Sequence, residues 1–182
     1  MIKVAKVSAL ILGLFIVVST VQTLTHNKFQ NLRVQQHTMS SVTTEVRERQ
    51  LACLADNIYR EAGYESFEGK VAVAQVTLNR TRNPSFPNDV CGVVYQKTVV
   101  MKRVVCQFSW HCDSAAKHRP VNRAAYAESY EVAKKVLLEG FRLSTLKNAL
   151  YYHADYVDPK WGKQKVAKIG AHIFYSNKKA GV

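Results

Sequence analysis

Glu61 is the residue whose type and setting best suit acid catalysis in this sequence. It falls on the last turn of a well-patterned helical stretch, close to Tyr59 and just before Gly63. A carboxyl at a helix C-terminus meets the negative pole of the dipole, and partial burial adds desolvation; both favour the protonated form near neutral pH. A protonated carboxyl can donate to a glycosidic oxygen. A solvated surface glutamate fits the same local pattern, so the residues alone leave both readings open. Glu65 would share the face of Glu61 if the helix continued through Gly63. Paired carboxylates across a sugar are the usual glycosidase arrangement. Asp113, Asp155 and Asp158 are further candidates, each equally suited to a turn or a surface charge, and no second carboxylate stands out. One acid suffices where the sugar supplies its own internal nucleophile.

Other chemistries find less support. Cys106, His111 and Cys112 are not at zinc spacing, and the His-Glu-x-x-His pattern is absent. His153 and His172 fall in two β-like runs and suit structural hydrogen bonding across a ribbon. There is no Gly-x-Ser-x-Gly elbow. Aromatic residues gather in the second half: Phe108, Trp110, Tyr151, Tyr152, Tyr156, Trp161, Phe174 and Tyr175. Their faces can stack on the apolar C–H faces of sugars, while many must also serve the core.

The elements that must position these groups read as α+β, helices first and a small antiparallel sheet last. Leu51, Leu54, Ala55, Ile58 and Tyr59 form an apolar stripe that predicts a helix from about Glu45 to Ala62, capped by Thr43 or Thr44 and ended by Gly63. A second helix over Phe67–Arg80, with Ser66 as N-cap, is apolar on many sides and reads as the central core helix. Pro84 and Pro87 fix a loop, and a short helical piece follows over Asp89–Gln96. Val99–Trp110 is ambiguous, with Val104, Val105 and Phe108 fitting a strand. Asn122 caps a helix to Leu138 that presents Tyr126, Tyr130, Ala133 and Leu137 on one face, with Gly140 as stop. Ala149–His153 and Val166–Tyr175 read as the two runs of an antiparallel ribbon.

Lys3 and Lys6 followed by the apolar run Val7–Val18 have the layout of an export signal. Residues 1–24 are therefore read as a signal peptide or retained anchor, 25–44 as a polar tether, and 45–182 as the folded domain. The apolar content of 47% excludes wholesale disorder. The net charge of +13 points an exported protein at an anionic cell-envelope surface. Nucleic acid is not expected: no helix gathers the basic residues into a stripe. Four cysteines behind an export signal permit disulfides. The loop-rich setting of Cys91, Cys106 and Cys112 places one bridge among these three, leaving Cys53 as a buried thiol.

The stretch Asn57–Arg80, which includes Tyr59-Arg60-Glu61-Ala62, resembles the core motif of cell-wall hydrolases of the spore cortex-lytic type. The resemblance continues through Phe86–Gln96, Cys106-Gln107-Phe108-Ser109-Trp110, Tyr152-His153-Ala154, Pro159-x-Trp161 and Ile169-Gly170-x-His172-x-Phe174-Tyr175. It implies a lysozyme-like α+β domain that cuts peptidoglycan between N-acetylmuramic acid and N-acetylglucosamine. Glu61 would be the single acid of a lytic transglycosylase, with Glu65, Gln107, Phe108, Ser109, Tyr152 and His153 lining the groove and no cofactor or metal implied. Ala62-Gly63-Tyr64-Glu65-Ser66 departs from the family's common Ala-Arg-Gly-Glu-Pro, and no peptidoglycan-binding repeat accompanies the domain. The resemblance thus suggests a compact Gram-negative or bacteriophage (endolysin-like) form, monomeric, working in the periplasm free or held to the inner membrane by its N-terminal segment. The alternatives are a muramoyl-alanine amidase and a non-catalytic wall-binding protein.

Overall fold

The computed structural model describes the backbone of residues 2–177 and the side chains of 16–31, 33, 43–116 and 118–177. The chain falls into two units, Met1–Val46 and Arg47–Val182. Helix α1 (Ile2–Ala62) runs through both. In the first unit the hydroxyls of Thr20, Thr23 and Thr25 donate back to carbonyls of the preceding turn, as threonine does in an exposed helix. The start predicted near Glu45 is thus not a helix start. The chain has no proline before Pro84 and no glycine between Gly13 and Gly63, so nothing breaks the helix at Thr43 or Thr44. The apolar run Val7–Val18 lies largely outside the described side chains. Among the described residues no helix is long and apolar enough to cross a membrane.

The second unit is organised around α2 (Phe67–Thr81). Ser66 caps it by accepting from the Gly69 amide, and Val71, Ala72, Val73, Ala74 and Val76 are fully buried. A helix with apolar residues on every side has no face left for solvent, hence its central place. One core joins Leu51, Leu54 and Ile58 of α1 to Val71 and Ala74, to Cys91 and Val94 of α3 (Val90–Val94), and to Val132, Ala133 and Val136 of the helix over Arg123–Leu137. Asn122 caps that helix through the Ala125 amide, and its buried face is Ala125, Ser129, Val132, Ala133 and Val136. Tyr126, Tyr130 and Leu137, predicted on that face, flank it as partly buried residues.

Between α3 and this helix the chain makes a hairpin, β1 (Lys97–Val100) and β2 (Arg103–Cys106), followed by α4 (Ser109–Cys112) and α5 (Ser114–Lys117). The helix over Arg123–Leu137 is α6. The ambiguous stretch thus resolves into a strand pair and a helical turn, and Phe108 belongs to neither strand. The last part is a three-stranded antiparallel sheet in the order β3-β5-β4, with β3 Tyr151–Ala154, β4 Gln164–Ile169 and β5 His172–Ser176. The run predicted over Val166–Tyr175 is two strands, because Gly170, at φ 55°, turns the chain between them. Phe174 of β5 is fully buried against Ala72 and Val76, which seats the sheet on α2.

Two disulfides are present, Cys53–Cys91 and Cys106–Cys112. The bridge expected among Cys91, Cys106 and Cys112 is Cys106–Cys112, and Cys91 pairs outside the three, with Cys53. Cys53 is not a buried thiol but the link from α1 to α3, a contact between residues 38 positions apart that composition does not reveal.

Candidate active site

The last turn of α1 presents Glu61, and the chain reverses immediately after it. The Gly63 amide donates to the Tyr59 carbonyl at 3.1 Å, and a Cβ at Gly63 would collide with that same oxygen. The Glu65 amide then donates to the Ala62 carbonyl at 3.0 Å. This tight exit brings Glu61, Gly63, Tyr64 and Glu65 to the wall of one cavity of about 410 Å³, shared with Arg60, Trp110, Arg119 and Pro120. A larger depression of about 940 Å³ between α2 and α6 includes Glu65 but not Glu61.

Burial pushes the Glu61 carboxyl above the usual carboxylate range, opposed by the Tyr152 hydroxyl and by the positive charge of Arg80. The Tyr152 hydroxyl donates to Glu61 Oε2 at 3.2 Å. Burial also holds Tyr152 well above the ordinary phenol range, so it stays a donor at neutral pH. Tyr152 is aimed by the sheet: it pairs with Phe174 on β5 and meets the His172 ring edge-on at 5.3 Å.

Arg80, on the last turn of α2, is buried and went unmarked in the sequence. Its Nε donates to the Leu150 carbonyl at 2.8 Å, and its guanidinium lies 5.3 Å from the Phe86 ring and 5.4 Å from the Phe108 ring. Nη1 is buried without a hydrogen-bond partner. Desolvation pulls the Arg80 pKa down, resisted by Tyr152, Tyr151 and Glu61, whose negative forms favour the cation. A buried cation of this kind is stable only beside groups that carry or develop negative charge. Only the proline-bounded end of α2, with Phe86 six positions on, could have hinted at it.

The other expected site residues separate. Glu65 shares the cavity, and its carboxylate accepts from the Ala171 amide at 3.3 Å, 3.9 Å from His172 Nδ1. Burial lowers the His172 pKa, against the raising effect of Glu65 and Asp155. Phe108 is buried, with its ring 5.4 Å from the Arg80 guanidinium, while Trp110, two residues on, reaches the cavity wall. Gln107 is half-buried with its amide bonded to the Gln96 carbonyl, and Ser109 is exposed at the start of α4. His153 follows Tyr152 on β3 and so takes the opposite face of the sheet from Glu61. There its Nε2 lies 2.9 Å from the Tyr175 hydroxyl, and Trp161 packs edge-on at 5.3 Å. His153 pairs with Ile173 and Ala154 with His172, so the two histidines expected to meet across the ribbon point to opposite faces. Among the described residues no three His, Cys, Asp or Glu side chains are placed to hold a metal ion.

A desolvated carboxyl with a phenolic donor and a neighbouring buried cation can give up and regain a proton within one site. The sequence profile of the cell wall hydrolase family matches residues 64–175, beginning just after Glu61. The spore cortex-lytic enzyme of Bacillus subtilis (strain 168) is 32% identical over 125 residues, 66% of this chain and 35% of that enzyme. The spore cortex-lytic enzyme of Bacillus cereus (strain ATCC 14579) is 30% identical over 149 residues, 80% of this chain. The chain spans about half of that relative's length, or 51%. The catalytic domain of the germination-specific lytic transglycosylase SleB from Bacillus anthracis superposes with a TM-score of 0.51 at 31% identity, covering 70% of this chain and 93% of that domain. The profile match takes in α2, both strand systems and Glu65 of the cavity, and by it the chain belongs to the cell wall hydrolase family.

Proposed function

We propose that the second unit cuts peptidoglycan glycan strands between N-acetylmuramic acid and N-acetylglucosamine as a lytic transglycosylase. The observation that carries this reading is the desolvated Glu61 carboxyl, bonded by Tyr152, in a cavity where Glu65 is already engaged by the Ala171 amide. Glu61, protonated, gives its proton to the glycosidic oxygen as the bond to the muramic C1 breaks. The Glu61 carboxylate then takes the proton of the muramic C6 hydroxyl, whose oxygen closes onto C1. The acid is regenerated, no water is consumed, and a 1,6-anhydromuramic end results. Tyr152 and Arg80 stabilise the carboxylate formed between the two transfers. The similarity to the SleB lytic transglycosylase domain supports the same reading.

Mass spectrometry of digested sacculi tests it. Anhydromuramic ends are expected. Reducing muramic ends would make the protein a water-using hydrolase, released stem peptides with intact glycan an amidase, and binding without turbidity loss a wall-binding protein.

The same reading places the enzyme outside the cytoplasm, on the periplasmic side of the inner membrane. Residues 1–24 act as signal peptide or anchor, 25–44 as tether and 45–182 as the catalytic domain. Lys3 and Lys6 ahead of Val7–Val18 support it, as do two disulfides, which persist in oxidising compartments. Protease accessibility in spheroplasts checks the side, and N-terminal sequencing of the purified protein checks whether the segment is retained.

A further inference from the structure

The β1–β2 hairpin has a composition that the glycan chemistry leaves unused. Val99 is 70% exposed, Met101 93% and Val104 60%, with Val100 and Val105 also about half exposed. Apolar residues therefore project from both faces: Val99 pairs with Val104 on one, while Val105 lies opposite Thr98 and Val100 opposite Arg103 on the other. Soluble proteins seldom leave such a contiguous group in water without a use for it. The turn itself, Met101 and Lys102, holds φ of 49° and 64°, the left-handed region usually given to glycine or asparagine. Side chains are thus kept at a tip where a Gly-Asn pair would turn more easily. Around the apolar residues stand Lys97, Lys102 and Arg103, all exposed, and no acid occurs from Lys97 to Cys106.

We propose that this hairpin is a membrane-contact element, resting its apolar tip in the interface of an anionic lipid surface. Each class of partner makes a different demand, and only this one is met. A glycan needs rings and hydrogen-bonding side chains, and the two strands offer Thr98 as their single neutral polar side chain. A second copy of the chain would set Lys97, Lys102 and Arg103 against themselves, and edge lysines oppose strand-to-strand pairing. An anionic bilayer takes both halves of the composition: apolar tips at the acyl boundary, cations at the headgroups. Insertion is shallow, because the outer edges of a two-stranded ribbon keep backbone groups that hydrocarbon cannot satisfy. The contact is separate from the N-terminal segment and from the Glu61 chemistry, so it stands or falls apart from both.

The test uses the full chain with an environment-sensitive fluorophore on Met101→Cys, and a control label on Tyr156→Cys, another highly exposed position, in the turn after β3. Vesicles of phosphatidylglycerol and phosphatidylethanolamine should blue-shift the label at 101 and leave the one at 156 unchanged. Brominated lipid should quench only the former. Lys102→Glu with Arg103→Glu should weaken the vesicle titration of the label at 101 by about twenty-fivefold or more, about fivefold for each cation lost. Both pairs of substitutions lie at exposed positions, so the fold is kept. The proposal is overturned if the label at 101 stays unshifted while the protein sediments with vesicles. It is equally overturned if phosphatidylcholine vesicles act as well as anionic ones, or if soluble N-acetylglucosamine oligomers, without lipid, produce the shift.

Discussion

The hydroxyl of Tyr152, on an edge strand, donates to Glu61 Oε2, on the last turn of a helix 91 positions earlier. This bond joins the helical and β parts of the domain at a carboxyl that desolvation holds up in pKa.

Glu61→Gln should lower glycan cleavage by at least about a hundredfold, the usual range for loss of a general acid. It should also stabilise the fold at neutral pH. A carboxyl whose folded pKa is raised supports the native state below its unfolded value and loses that support as pH rises through the folded value. Glutamine removes this loss, so the gain in Tm over wild type should grow from acid to neutral pH. Equal Tm values at every pH would remove the desolvated carboxyl from the account.

Tyr152→Phe removes a bond that favours the Glu61 carboxylate, so the Glu61 pKa should climb further. Activity that requires the protonated acid would then persist to higher pH. The alkaline limb of the pH–kcat profile should move up while kcat at the optimum falls about tenfold. An unmoved limb would assign Tyr152 a packing role.

Arg80→Met takes away the cation that also opposes the rise at Glu61, and leaves the Leu150 carbonyl without its donor. The same upward shift of the alkaline limb is expected, with a stability loss of about 1–3 kcal/mol in urea unfolding. Arg80→Lys should restore the limb and only part of the stability, because a lysine keeps the charge without the planar fit between Phe86 and Phe108.

The two disulfides should separate stability from activity. Cys53–Cys91 closes a segment 38 residues long and Cys106–Cys112 one of 6. Loop-closure entropy makes the first worth about 4 kcal/mol and the second about 2 kcal/mol. Replacing Cys53 and Cys91 by alanine should therefore lower the unfolding midpoint more. Replacing Cys106 and Cys112 frees the segment carrying Phe108 and Trp110, beneath Arg80 and on the cavity wall, and should cost more in kcat than in stability.

Glu65→Ala should leave the Ala171 amide without its acceptor and remove the carboxylate that raises the His172 pKa. His172 would then titrate lower still. Carbon-labelled histidine NMR measures this directly, and an unchanged His172 titration would detach Glu65 from it.

The helices were legible because their signals are local. Ser66, Asn122, Gly63 and Gly140 mark ends that the structure keeps, and the apolar run Val71–Val76 announced a helix buried all round. The hairpin was only half legible for the converse reason. Val104 and Val105 carry the residue types of a buried strand, and nothing in their types says that they project into solvent. Gly170 was visible as a residue but not as a turn, since strand alternation on both sides ran through it.

The sequence alone determined the ends of α2 and α6 and the C-terminal end of α1, and made Glu61 a candidate, through period, punctuation and motif, all of which act within a few residues. Tertiary structure decided which side chains meet it. Sheet register turned Tyr152 toward Glu61 and His153 away, and the packing of α2 buried Arg80 between Phe86 and Phe108. Those outcomes depend on contacts between residues tens of positions apart, fixed only when burial of Phe174 seats the sheet on the central helix.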